Sequence, residues 1–313
     1  MVAGAAPAAA LTDRLGFAHC RTPAACSGGK TGATGRIKQH LAATRTQGVG
    51  AAFVFCVTFY RTISLPHTTR SAMPRHVAII MDGNRRWASA RGLPKAVGHG
   101  AGSRRVRAIV QACGERGISH LTLFAFSTEN WRRPLDEVSS LLGLLSLYLQ
   151  KEIGNLNAQG VRLRVIGDTS GFDSRVQALI RDAQTSTDHN RSITLTLALN
   201  YGGRWDMLQA VKAWQLAHPG QSAETLSEAA LEPYLQMADA PPPDLMIRTG
   251  GESRMSNFML WQMAYTELYF TNLLWPEFTP ESLDQAIAWF AKRDRRFGGE
   301  STVPAPTIES KAS

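Results

Sequence analysis

The chain has 313 residues, 44% of them apolar, with 34 Lys and Arg against 25 Asp and Glu. That is enough apolar material for one large core or two modest ones. The net charge of +9 is concentrated: residues 1–72 hold eight bases (Arg14, Arg21, Lys30, Arg36, Lys38, Arg45, Arg61, Arg70) and one acid, Asp13. The other 241 residues hold 26 bases and 24 acids, and a body so nearly neutral argues against a nucleic-acid partner.

Residues 1–72 are rich in Ala, Gly, Thr and Arg and read as an N-terminal extension. They are expected to be disordered or a misassigned start, with a targeting segment as the alternative. Met73-Pro74 directly precedes the first convincing strand. The apolar run from Val49 to Tyr60 is shorter than the roughly 20 residues that span a bilayer, so no transmembrane helix is predicted. Three of the four cysteines (Cys20, Cys26, Cys56) lie in this extension and Cys113 stands alone beyond it. Their spacing fits neither a zinc site nor a disulfide framework, as expected of a reducing compartment.

From residue 74 strand-like and helix-like stretches alternate. Strands are predicted over 77–81, 120–126, 161–166, 193–199, 244–248 and 266–270. Helices are predicted over 98–116, 135–158, 172–188, 204–217, 254–264 and 281–293. Such alternation predicts an α/β fold: a single domain, 73–299, with a six-stranded, mainly parallel sheet surrounded by helices. Gln221 to Pro243 reads as a surface excursion, and residues 300–313 as a disordered tail.

Three stretches carry chemistry. His76-Val77-Ala78-Ile79-Ile80-Met81 runs into Asp82-Gly83-Asn84-Arg85-Arg86-Trp87: a buried strand, a turn and a helix start. A carboxylate at the carboxyl end of a parallel strand, beside a helix N-terminus and two arginines, suits a metal and a phosphate together. The second stretch, Ser127-Thr128-Glu129-Asn130-Trp131-Arg132-Arg133-Pro134, gathers polar groups at another strand end. Capping explains Thr128 or Asn130, but not Glu129, Trp131 and Arg133 together. The third, Ile247-Arg248-Thr249-Gly250-Gly251-Glu252-Ser253-Arg254-Met255-Ser256, brackets a Gly-Gly turn with arginines and hydroxyls, which suits a diphosphate. It has neither a Walker lysine pattern nor a dinucleotide fingerprint. Glu267, in an apolar and aromatic setting, needs a cationic partner; with Asp82 it would supply hard oxygens for Mg²⁺. The helix over 135–158 is apolar around most of its circumference, as a core helix or the wall of a hydrocarbon tunnel would be.

These stretches, with Gly98-His99-Gly100-Ala101-Gly102, Asn200-Tyr201-Gly202-Gly203-Arg204 and Leu274-Trp275-Pro276, closely resemble the cis-prenyltransferases of the undecaprenyl diphosphate synthase type. The resemblance runs from about Met73 to Gly299. It implies a tunnel-containing homodimer that condenses isopentenyl diphosphate repeatedly onto an allylic diphosphate, with farnesyl diphosphate as primer and undecaprenyl diphosphate, the carrier precursor for cell-wall synthesis, as product. It implies Mg²⁺ held by Asp82 and Glu267, and catalysis by Asp82 with Asn130 as proton acceptor. Substrate contacts are implied for Gly83, Asn84, Arg85, Arg86, Trp87, Lys95 and His99, and for Ser127, Thr128, Glu129, Trp131 and Arg133. Arg248, Arg254, Met255 and Ser256 are implied for isopentenyl diphosphate. A neutral amide is a poor base, so Glu129, Ser127 or the departing diphosphate compete with Asn130 for the proton. Arg85 stands where the family often has glycine, Lys95 where it often has arginine, and Ser253 where some members have histidine. Tunnel residues such as Ala125, Leu141, Leu145 and Ile193 are expected to govern product length. The implied setting is cytoplasmic, with peripheral contact at the inner membrane. The alternatives are an enzyme of different product length and a non-catalytic partner subunit; a trans-type synthase is disfavoured because no Asp-Asp pair occurs.

Overall fold

In the structure, a computed structural model, residues 73–293 are described, so the expectations for 1–72 and for the tail after Gly299 lie outside it. Six strands form the sheet: β1 (His76–Ile80), β2 (His120–Ser127), β3 (Val161–Ile166), β4 (Ile193–Tyr201), β5 (Leu245–Arg248) and β6 (Glu267–Phe270). Their order is β3-β4-β2-β1-β5-β6, and every neighbouring pair is parallel. The inner strands β1 and β5 are buried on both faces and carry continuous apolar runs, whereas the edge strand β3 (Val-Arg-Leu-Arg-Val-Ile) alternates with half-exposed arginines. All five residues of β1 are buried.

The helices are α1 (Asn84–Ser89), α2 (Lys95–Glu115), α3 (Leu135–Ala158), α4 (Ser174–Thr187), α5 (Gly203–Ala217), α6 (Glu228–Leu231) and α7 (Pro280–Ala291). One sheet face contributes Val77, Ile79, Leu121, Leu123, Leu195 and Ile247 to a core shared with α2, α3, α4 and α7. Ala78, Ile80, Ala198 and Met246 on the other face pack against Phe258, Met259 and Met263.

That last segment corrects the helix expected over 254–264. Residues 256–265 instead form consecutive turns and bends, because Ser256 (φ 55°) and Met259 (φ 43°) adopt left-handed backbone that a right-handed helix cannot contain. Its apolar spacing serves the core under the sheet all the same. Among the described residues, no helix is long and apolar enough to cross a membrane.

Candidate active site

The carboxyl ends of β1, β2 and β5 converge on one cavity of about 760 Å³. This is where an open parallel sheet offers backbone amides and loops to a ligand. Asp82, two residues beyond β1, stands at its mouth. Its Oδ2 is 3.0 Å from Arg248 and its Oδ1 is 3.2 Å from Arg86. Gly83 takes φ 108° at the start of α1, a turn that carries Asp82 over the strand end and sends Asn84, Arg85 and Arg86 into the helix.

Arg248 is 5% exposed and ties three segments together. Besides Asp82, it donates to the Arg254 carbonyl (2.7 Å) and the Ser256 hydroxyl (2.9 Å). Its Nε and the Asn84 Oδ1 are buried without partners in the protein. Buried polar atoms are normally paired, so orphans at a cavity wall mark where a polar ligand would complete the bonding.

A second cluster centres on Glu137, an almost wholly buried residue in the first turn of α3. Arg133 lies 3.1 Å from its carboxylate, Arg85 3.5 Å, Lys95 3.6 Å and His99 4.0 Å. Burial pushes this carboxyl up, but the opposing fields of Arg133, Arg85 and Lys95 win and hold it below the ordinary range. Burial, reinforced by Arg133, lowers His99, whose imidazole is therefore neutral near pH 7. Arg85 and Lys95, from α1 and α2, thus meet on one carboxylate.

Beyond β2, a 3-10 turn (Thr128–Arg132) carries the second polar stretch. Asn130 Oδ1 accepts from the Ser127 amide at 3.1 Å and closes a capping box. That oxygen is committed to backbone, which weakens Asn130 as a proton acceptor. Trp131 donates from Nε1 to Asn200 at 2.8 Å and packs on Phe126 and Phe172. Glu129 accepts from the Asn257 amide at 2.8 Å.

Inward from this polar mouth the cavity is apolar. Ala125, Leu141, Leu145, Tyr148, Leu197 and Leu199 line it, between α3 and the β2–β4 part of the sheet. Ile193 does not; it is buried in the core at the start of β4. The partly apolar circumference of α3 is therefore both core and cavity wall.

Of the residues singled out in the sequence, Asp82, Gly83, Asn84, Arg85, Arg86, His99, Ser127, Glu129, Asn130, Arg133, Arg248 and Ser256 line the cavity. Trp87, Lys95, Thr128, Trp131, Arg254 and Met255 stand behind or beside that wall. Glu267 is elsewhere. It opens β6 in register with Leu245, which pairs with Val77, so it lies roughly 16 Å back along the strands from the level of Asp82. Within one chain, then, Asp82 and Glu267 do not share a metal site, because parallel strands put the start of β6 at the opposite end of the sheet. No group of three His, Cys, Asp or Glu suited to a metal occurs among the described residues. Mg²⁺ takes only one or two carboxylates beside substrate phosphates and waters, and Asp82, one third exposed, fits that role. Sequence reading missed Glu137 as a hub, although its i+4 spacing from Arg133 was a usable signal, and missed Asn257, for which no local signal existed.

A family model described as putative undecaprenyl diphosphate synthase matches residues 80–298. An isoprenyl transferase of Ralstonia nicotianae (strain ATCC BAA-1114 / GMI1000) is 52% identical over 245 residues, covering 78% of this chain and 94% of its own. A protein of Pseudomonas aeruginosa PAO1, ditrans,polycis-undecaprenyl-diphosphate synthase ((2E,6E)-farnesyl-diphosphate specific), is 51% identical over 233 residues, 73% of this chain and 92% of its own. Among solved structures, lavandulyl diphosphate synthase from Lavandula x intermedia in complex with dimethylallyl diphosphate is similar at TM-score 0.69 and 36% identity, covering 72% of this chain and 99% of that one. A probable undecaprenyl diphosphate synthase from Campylobacter jejuni is similar at TM-score 0.61 and 34% identity, covering 72% and 98%.

Proposed function

Because the chain belongs to the undecaprenyl diphosphate synthase family, and so to the isoprenyl transferases, we propose that it condenses isopentenyl diphosphate repeatedly onto farnesyl diphosphate to give undecaprenyl diphosphate. The observation that carries this reading is the continuity of the cavity: a mouth of arginines and the carboxylates of Asp82, Glu129 and Glu252 opens directly into an apolar interior. A diphosphate head and a growing hydrocarbon tail require those two environments in that order.

In this reading Gly83, Asn84, Arg85, Arg86 and His99 receive the allylic diphosphate at the N-terminus of α1, with Lys95 and Trp87 behind them. Arg248, Arg254, Met255 and Ser256 receive isopentenyl diphosphate. Ser127, Thr128, Glu129, Trp131 and Arg133 shape the space between. Mg²⁺ on Asp82, when bound, neutralises charge on the diphosphate that departs. The arginines hold that charge as it builds, already oriented by their ion pairs. The allylic C–O bond breaks, a C–C bond forms to isopentenyl diphosphate, and a proton is lost to leave a cis double bond. Leu141, Leu145 and the β2–β4 face then exclude water from the lengthening chain. A homodimer is part of the proposal, and Glu267 could reach a metal only from the second copy. The enzyme is proposed to work in the cytoplasm and to release product by peripheral contact with the inner membrane, for cell-wall synthesis.

The test is to incubate the full chain with farnesyl diphosphate, labelled isopentenyl diphosphate and Mg²⁺, and to resolve products by length beside Asp82→Ala. A ladder ending at one long product and abolished by the substitution supports the reading. No elongation by folded, dimeric protein refutes it in favour of a non-catalytic partner subunit; a shorter top rung refutes the product assignment alone.

A further inference from the structure

Asn257 lies in the turn segment between β5 and β6, outside every sequence motif given a role so far, yet it joins three parts of the mouth. Its Nδ2 donates to Glu129 Oε1 at 2.8 Å. Its Oδ1 accepts from the Arg204 amide at 2.9 Å, and its carbonyl accepts from the Gly203 amide at 2.8 Å. These two bonds pin it to the N-terminus of α5, and so to the Asn200-Tyr201-Gly202-Gly203-Arg204 motif. Gly202 makes the approach possible: a Cβ there would stand 2.5 Å from Asn257 Nδ2 and 2.9 Å from Thr128 Oγ1. On its other side, Ser256 is held by Arg248, which holds Asp82. Hydrogen bonds on either side of the Ser256–Asn257 peptide bond thus link Asp82 to Glu129 across the mouth.

We propose that Asn257 is a positioning residue whose amide fixes the Glu129 carboxylate over the cavity, where it accepts the proton lost in each condensation. The inference rests on the prenyl-transfer reading above. In the balanced step, the allylic C–O bond breaks and its electron pair leaves with diphosphate. The isopentenyl double bond supplies the pair for the new C–C bond. A C–H bond then breaks, its electrons become the cis double bond, and its proton goes to Glu129. The orientation of the amide is fixed by its partners, since only nitrogen can face the carboxylate while oxygen faces the Arg204 N–H.

Glu129 sits below the ordinary carboxylate range. Partial burial pushes it up, and donation by Asn257, with its own backbone, Ser127 and Thr128, more than offsets that. The charged groups lining the same cavity are Asp82, Arg85, Arg86, Arg133, Arg248 and Glu252, beside the titratable His99, and Arg204 donates its amide to Asn257. An ionised carboxylate is a competent acceptor for a proton beside a cationic carbon, whereas Asn130 has its oxygen committed to the Ser127 amide.

Asn257→Asp isolates the interaction, since it exchanges one atom, keeps the acceptor for the Arg204 amide and puts an anion against Glu129. We would measure kcat for single isopentenyl addition by the full chain from about pH 3.5 to about pH 8, a window that reaches below the ordinary carboxylate range where Glu129 titrates. Wild type, Asn257→Asp, Asn257→Ala and Glu129→Gln would be compared. The acid limb should move up by about one pH unit in Asn257→Asp, because the rate falls where Glu129 protonates and a like charge raises that point. Asn257→Ala should move it the same way by less, and serves if the aspartate variant does not fold. Glu129→Gln should lower kcat and abolish the limb. An unmoved limb in folded Asn257 variants, or a limb that survives in Glu129→Gln, overturns the proposal while leaving prenyl transfer intact. A wild type that makes no product overturns the functional reading, and this inference with it.

Discussion

Replacing Arg248 with methionine separates binding from folding. Arg248 is 5% exposed and makes three hydrogen bonds, to Asp82, the Arg254 carbonyl and the Ser256 hydroxyl. Breaking a fully buried ion pair costs about 3–5 kcal/mol, mostly because one charge is stranded. Here the stranded partner would be Asp82, which is one third exposed and keeps Arg86 at 3.2 Å. Methionine also preserves most of the buried aliphatic stem and removes a guanidinium whose Nε is unpaired. The remaining loss is two hydrogen bonds from a charged donor, discounted for the removed desolvation, or about 1–2 kcal/mol. For a domain of this size that lowers Tm by roughly 2–8 °C. Binding should suffer more: one charge-assisted contact to a diphosphate is worth about 2–3 kcal/mol, a rise of roughly 30- to 150-fold in KM for isopentenyl diphosphate. Chemical denaturation and steady-state kinetics on the same preparation read both numbers. A stability loss above about 4 kcal/mol with KM unchanged would make Arg248 a structural residue rather than a diphosphate ligand.

Other expectations follow from the same geometry. His76 is fully buried between the Pro241 carbonyl and Thr122, and burial lowers it to about 4. The unfolded chain therefore binds a proton near pH 6.5 that the folded one refuses, so stability is whole above about 6.5 and falls as pH drops towards 4, by up to about 3 kcal/mol. Denaturation at neutral and acid pH should show a smaller acid loss in His76→Gln; an equal loss would contradict this. Glu137 has the opposite sign of shift to its burial, and its carboxylate stabilises the fold above the ordinary carboxylate pKa and ceases to as pH falls through its depressed folded value. Glu137→Gln should cost about 1–2 kcal/mol at neutral pH, with Arg85 and Lys95 hydrating once released, and less in acid. Removing Mg²⁺ with a chelator should abolish elongation and re-addition restore it, whereas activity that persists in the chelator would remove the metal from Asp82.

The sheet was legible from strand composition: Val77 to Ile80 is an uninterrupted apolar run buried on both faces, and in Ile193 to Leu199 β-branched threonines alternate with leucines. Strand ends then located Asp82, Glu129 and Arg248. What sequence could not supply was direction and long-range contact. Phe258, Met259 and Met263 mimic a helical face, and only the left-handed backbone at Ser256 and Met259 reveals turns. Glu267 reads as a ligand beside an apolar strand, but a strand pattern does not say which end of the sheet a residue occupies. The meeting of Arg85, Lys95 and Arg133 on Glu137 spans α1, α2 and α3, and Asn257 reaches Glu129 across 128 positions of sequence. No local period encodes either.

If the growing chain enters the cavity between α3 and the sheet, the length of the product made by Ala125→Leu reports it. Ala125 lines that cavity on β2, beyond the polar mouth. With the chain in this cavity, the leucine variant should add the first isopentenyl unit at close to the wild-type rate and then stop at a shorter top rung. Full-length product from the folded variant would contradict that placement and put the hydrocarbon elsewhere.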